Sequence, residues 1–222
     1  MNKVEVCNLA LGAIGVGSSG NIQDFYPADT SEEARACTRV FPHCMSMLMR
    51  EPSVDWTFAR ASVALALSAD TVQGYEYVYA YPDSCARLVV LAPVDVDPWC
   101  IPQSDWHWGK HSIRMASSGE SKLIASNLPD AVAHYIADVT DPSFADPLFR
   151  DALKWSLAKD LALELRTSPA MASNAAEQYV RALSTASAAN GNEGDDMMPH
   201  TPADIAEYSS LADRYDRYYP YG

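Results

Sequence analysis

The chain is poor in basic residues. Sixteen lysines and arginines stand against 29 aspartates and glutamates in 222 residues, a formal charge of −13. Nonspecific grip on a phosphate backbone needs clustered cations, so that class of nucleic-acid binder is excluded. The acidic balance instead suits a surface that must not stick to nucleic acid. Long apolar runs are missing too. No stretch reaches eighteen apolar residues, so none reads as a membrane span. The opening MNKVEVCNLALGAIG has one lysine and an apolar run, but Glu5 and Asn8 interrupt it. Without a strong basic segment it reads as an amphipathic helix and not a leader. Cysteine is sparse: Cys7, Cys37, Cys44, Cys85 and Cys100 are odd in number and scattered. They fit buried reduced thiols of a cytosolic protein better than a disulfide framework. Catalytic signatures are absent as well, with no GxSxG, P-loop or HExxH. The run from Gly15 to Gly20 matches GxGxxG in spacing, yet a helical pattern precedes it where a dinucleotide fold needs a strand. No repeat of fixed period is seen.

What is present is a folded composition, 48% hydrophobic, in a chain long enough for one domain or a domain with an appendage. Val4, Cys7, Leu9, Leu11 and Ile14 mark a short first helix. Thr30 followed by Glu33 has capping-box spacing and opens a second. Ala34, Cys37, Phe41, Cys44 and Leu48 then recur at steps of three and four, with Pro42 predicting a kink. Residues 61–69 read as a third short helix. From about residue 75 the character changes. Residues 75–81 and 87–91 read as two strands joined by a turn at Pro82 and Asp83, 112–116 and 122–125 as a hairpin, and 132–139 as a further strand. Helix returns with Phe149, Leu153, Leu157, Leu161 and Leu165, flanked by Ala152, Ala158 and Ala162. Pro169 suits the start of a last helix over 170–189, making a helical hairpin. Each large apolar side chain on these stripes is worth roughly 1.5–3 kcal/mol when buried, enough for a bundle.

The expected class is therefore α+β, a helical bundle with an inserted antiparallel β-rich region and an extended C-terminal arm. The expected boundaries are 1–72 for the N-terminal helices, 73–140 for the insertion, 141–189 for the hairpin and 190–222 for the arm, which includes a short helical stretch over 203–216.

Candidate chemistry is thin. Cys37, His43 and Cys44 share a segment, but the cysteines fit the apolar stripe and no partner CxxC exists, so they read as core thiols. His107 and His111, four apart among Trp106 and Trp108, read as an aromatic surface cluster. The acid pairs Asp95/Asp97, Asp138/Asp141 and Asp195/Asp196 sit beside Pro, Gly or a strand end, where aspartate serves turns and caps. No catalytic, metal or cofactor residues are assigned. The arm differs: Tyr208, Tyr215, Tyr218, Tyr219 and Tyr221 accompany Arg214 and Arg217, residue types that carry interface energy. A partner-docking segment is the favoured reading. Tyr75, Tyr77, Tyr79 and Tyr81 alternate and so share one strand face. That face either packs on a neighbour or covers the bundle; both readings stand.

The blocks NLALGAIG, TSEEARACTRVFPHCMSMLMREPSVDWTFARAS, GYEYVYAYPDSCARLVVL and YIADVTDPSFADPLFRDALKWSLAKDLALEL are ordered as in a known family. The chain resembles, over about residues 2–190, the tail tubular protein A-like head-to-tail adaptors, or connectors, of short-tailed bacteriophages. The most specific blocks are WTFA at 56–59, YAYPDSC at 79–85 and DVTDPSFADPLF at 138–149. The resemblance implies a structural protein without chemistry, a twelve-subunit ring between the portal and the tail nozzle or tube. Genomic DNA would pass through without sequence-specific binding, and acids facing the channel would repel its phosphates. The location would be the head-tail junction of the virion, after assembly in the bacterial host cytoplasm, with no membrane. The arm residues named above would meet the portal. Tyr75, Tyr77, Tyr79, Tyr81, Trp99, Trp106 and Trp108 would meet the tail or the next subunit. A rival from another class is a small cytosolic hydrolase or metal-dependent enzyme using His134, Asp138 and Asp141. A third is a monomeric scaffold.

Overall fold

The structure is a computed structural model that describes residues 1–100 and 110–195, apart from the side chains of residues 100 and 190–195. The expected contacts Trp106, Trp108, Tyr208, Arg214, Tyr215, Arg217, Tyr218, Tyr219 and Tyr221, with His107, lie outside the described residues. The class is α+β, with four α-helices and two small antiparallel sheets among the described residues. The chain divides into two units. One combines Met1–Ala59 with Asp138–Gly191, and Arg60–Ala137 belongs to the other.

In the helical unit, α1 (Lys3–Ala13) starts at a capping box absent from the sequence reading. Asn2 Oδ1 accepts the Glu5 N–H at 2.9 Å, and Glu5 Oε2 accepts the Asn2 N–H at 2.8 Å. Its other end closes on Gly15 at φ +83°, with the Gly15 N–H donating to Gly12 O and the Val16 N–H to Leu11 O. That is a Schellman ending, which needs a left-handed residue. A Cβ on Gly15 would also lie 3.1 Å from the Met171 methyl. Val6, Cys7, Ala10 and Leu11 are buried, while Leu9, expected on the apolar face, is exposed.

Helix α2 (Glu32–Met49) is capped by Ser31, whose hydroxyl accepts the Ala34 N–H, one residue later than the expected Thr30. It runs on through Pro42, which is exposed, so the carbonyl that loses its partner there has water near at hand. The predicted stripe of Ala34, Cys37, Phe41, Cys44 and Leu48 is buried throughout. Helix α3 (Pro147–Glu164) begins at Asp146, whose Oδ1 accepts from Leu148 N at 2.7 Å and Phe149 N at 2.9 Å. Phe149, Leu153, Leu157 and Leu161 are buried as their spacing requires. The hairpin expected of α3 with α4 (Pro169–Asp195) is not its main packing: α3 lies chiefly against α1 and α2. The α4 side contributes Ala175, Ala182 and Ala186 to the core, and Lys159 Nζ sits 5.1 Å over the Tyr179 ring.

The second unit begins at Arg60, not near residue 73. Residues 61–69, expected as helix, open instead with strand β1 (Arg60–Ala64). Small residues gave a helical signal, but an extended partner, β6 (Val132–Ala137), supplies hydrogen bonds that propensity cannot foresee. One sheet has the order β1-β6-β3, with β3 spanning Cys85–Ala92. The other has the order β2-β5-β4, from β2 (Tyr77–Ala80), β4 (His111–Met115) and β5 (Lys122–Ser126). The predicted β4–β5 hairpin is present, with Gly119 at φ +76° in its turn. The two strands expected to pair around Pro82 and Asp83 do exist, but β2 pairs with β5 and β3 with β6. The turn carries the chain from one sheet to the other. Past β1, the chain also changes sheet: Ser68 N donates to Val78 O, and Ala80 N to Ala66 O.

Candidate functional site

The tyrosine ladder is the first candidate. Tyr77, Tyr79 and Tyr81 lie on one face of β2, and Tyr77 stacks on Tyr79 with centroids 6.3 Å apart and planes at 18°. That face joins Leu91, Ala133 and Tyr135 of the first sheet and Ile124 of its own in one core, together with Leu128 and Ala131. Tyr79 is 1% exposed, and its hydroxyl donates to Leu128 O at 2.6 Å. Burial pushes its phenol pKa up. Tyr79 therefore fills the interior of the β unit, which neither open reading of this face had foreseen. Tyr77 and Tyr81 flank it half-buried, with Lys122 Nζ 5.2 Å over the Tyr81 ring. Tyr75 leaves the face. Gly74, at φ +88°, turns the chain just before the strand, and Tyr75 packs with Val72 on the separate cluster of Val78, Ala116, Leu123 and Ala125. The shared tyrosine face therefore begins at Tyr77 and not at the expected Tyr75.

Trp99 is held in a second cluster. The Arg60 guanidinium lies 4.4 Å over its ring, and His134 meets it edge to face at 6.3 Å. In register, His134 lies between Ser62 and Val90, and Ile136 between Arg60 and Arg87. His134 is 5% exposed, and among the described residues neither ring nitrogen has a hydrogen-bond partner. Burial lowers its pKa, and the Asp97 charge opposes that in part. Arg60 carried no signal in the sequence, because its partner lies 39 residues along the chain.

Of the residues of the hydrolase reading, Asp141 serves local structure. Asp141 Oδ1 accepts from the Ser143 N–H at 3.0 Å and from its hydroxyl at 2.7 Å, capping a 3-10 turn over Pro142–Phe144. Those bonds hold its carboxyl pKa below the usual range. Among the described residues, no carboxylate is hydrogen-bonded to His134 to orient it. Asp97 Oδ1 likewise accepts from Trp99 N, as a turn aspartate does.

Cys7, Cys37 and Cys44 are buried free thiols in the helical unit. The Cys44 thiol donates to Asp160 Oδ2 at 3.2 Å, and burial, then the Asp160 charge, pushes its pKa up to about 12. Cys7 is shifted upward by its hydrogen bond with Cys37 and by burial. Such thiols are poor nucleophiles and poor ligands. His43, beside them in sequence, is exposed. Among the described residues, no group of three or more His, Cys, Asp or Glu is placed to hold a metal ion, and no helix is long and apolar enough to cross a membrane.

Two of the blocks that carry the phage-adaptor resemblance meet in the helical unit. Trp56 and Phe58 of WTFA pack edge to face on Phe149, the last residue of DVTDPSFADPLF, at 4.9 and 5.0 Å. The Trp56 indole N–H donates to Leu48 O at 2.9 Å. No protein-family model matches the chain, and no curated protein is significantly similar to it.

Proposed function

We propose that this chain is a head-to-tail adaptor of a short-tailed phage, forming a ring between portal and tail through which the genome passes. The observation that carries the reading is the aromatic clasp of Trp56, Phe58 and Phe149. It joins residues 91 and 93 positions apart, from two sequence blocks that carry the likeness to one family. It also sits where the chain leaves the helical unit, at Ala59, and soon after it re-enters, at Asp138. Surface composition supports the reading. Leu9, Met47, Phe144, Leu163 and Val180 are exposed on the helical unit, and in this reading subunit or neighbour contacts cover them. In this reading the purpose lies in those surfaces, and the acid excess keeps the channel wall from holding DNA phosphates.

The direct test is electron microscopy of the chain mixed with a portal ring. A defined ring of this chain on the portal is the expected image, and its absence at saturating concentration sinks the adaptor reading. Removal of residues 190–222 is expected to leave the helical unit folded and to weaken portal attachment. Asp138→Ala is expected to assemble like wild type.

A further inference from the structure

The hairpin of β4 and β5 has a readable hydrogen-bond parity. Ala116 N donates to Ser121 O, so that pair is a bonded one. In an antiparallel ladder bonded and non-bonded pairs alternate. Arg114 and Ser112 therefore bond across to Leu123 and Ala125, while His111, Ile113 and Met115 turn their backbone groups the other way. The β2 side agrees. Tyr81 N donates to Lys122 O, which commits Lys122, Ile124 and Ser126 to β2 and leaves Leu123 and Ala125 for β4. β2 has its outer side bonded by residues 66 and 68, but among the described residues β4 has no strand beyond it.

Two of these three residues also expose their side chains. Ile113 and Met115 are 47% and 64% exposed, although register puts them on the face that carries Ile124 and Tyr79 into the core. Natural sheets guard an open edge with short strands, charge or bulges. Here two of the three residues that turn N–H and C=O groups outward, Ile113 and Met115, are apolar. Charge sits between them: Arg114 is exposed on the opposite face, and Lys110 is exposed at the strand entry. Two cations within five residues contrast with a chain of net charge −13.

We propose that the open edge of β4 is a strand-addition site for an extended acidic segment of another chain. The incoming backbone pairs with Ile113 and Met115, its apolar residues cover their side chains, and its carboxylates face Arg114. The proposal stands independently of the ring reading.

A capped peptide of alternating valine and glutamate serves as probe, with a valine–lysine peptide as control. Amide hydrogen exchange at Ile113 and Met115 is expected to slow at least fivefold with the acidic peptide and not with the basic one. Ile113→Pro removes an outward N–H that β5 does not use, so the variant is expected to keep its circular dichroism and lose the protection. Arg114→Glu, at an exposed side chain, is expected to reverse the peptide preference, which decides the matter even where the proline variant does not fold. Unchanged exchange at millimolar acidic peptide overturns the proposal, as does equal protection by both peptides. Protection that rises with chain concentration alone, without peptide, also overturns it and makes a second copy the occupant.

Discussion

Trp56 and Phe149 meet edge to face, with centroids 4.9 Å apart and planes at 86°, both fully buried. They lie 93 positions apart in sequence, on either side of the inserted β unit. This contact fastens the two sequence segments of the helical unit to each other. The Asp146 cap sets the start of α3, and so places Phe149 one turn into the helix, where its ring can reach Trp56 and Phe58.

Phe149→Ala is expected to destabilise the helical unit by about 3–5 kcal/mol, the usual range for an aromatic truncated in a core. Phe149→Leu is expected to lose less, since it refills much of the space. Denaturant unfolding followed by tryptophan fluorescence gives both values. A loss below about 1 kcal/mol for the alanine variant would mean the clasp does not hold the segments together.

Within the β unit, Tyr79 and Tyr77 stack on each other but differ in what their hydroxyls do. The Tyr79 hydroxyl is bonded to Leu128 O inside the core. Tyr79→Phe is expected to cost about 0.5–1.5 kcal/mol by loss of that bond. Tyr77→Phe is expected to stay within about 0.5 kcal/mol of wild type, as surface-side changes do. Thermal unfolding of the two variants side by side reads the difference. Equal values for the two variants would show that the bond from the Tyr79 hydroxyl to Leu128 O adds nothing to stability beyond what the Tyr77 hydroxyl does.

The helical stripes were legible because burial in a helix follows a local period: Cys37, Phe41, Cys44 and Leu48 needed only their own spacing to be placed. The β4–β5 hairpin was legible for the same reason, its turn being short and polar. Pairing across long separations was not. Nothing in residues 61–64 names β6 as a partner some 70 positions away, so a run of small residues looked helical. Pro82 and Asp83 signalled a turn correctly, but a turn signal does not say whether the next strand returns to the same sheet. The inward direction of Tyr79 was hidden similarly. Alternation shows that tyrosines share a face, but which body covers that face depends on β3 and β6. His134 could be read only as a titratable residue on a strand, and its lack of partners is a tertiary fact.

That lack has a consequence in acid. His134 is buried against Trp99, with the Arg60 guanidinium on the same indole, Arg87 on the same sheet face and Asp97 the only acid acting on it among the described residues. Its folded pKa lies below its ordinary value of 6.5. Above that pH both folded and unfolded chains hold it neutral, so it adds no slope. As pH falls below 6.5 the unfolded chain takes up the proton first, and stability is lost until the folded pKa is passed. His134→Phe is expected to flatten the stability profile between about pH 6.5 and pH 5, leaving the carboxylate region below it unchanged. Melting temperatures across that window test it. A wild-type profile already flat there would show that His134 gains its proton without strain.

Arg166 ends α3 in the left-handed region, at φ +52°. The ending repeats the one on α1: the Arg166 N–H donates to Leu163 O, and the Thr167 N–H to Ala162 O. At the matching position α1 has Gly15, for which the conformation is nearly free of strain, whereas a side chain with a Cβ is disfavoured there by roughly 1–2 kcal/mol. Among the described residues, no ion pair or side-chain hydrogen bond of Arg166 offsets this. Arg166→Gly is therefore expected to stabilise the helical unit by about 1 kcal/mol, less a few tenths for the greater freedom of glycine in the unfolded chain. Arg166→Ala keeps the Cβ and is expected to leave stability unchanged within about 0.5 kcal/mol. If the alanine variant gained as much as the glycine variant, the arginine side chain and not the backbone would be the source of strain.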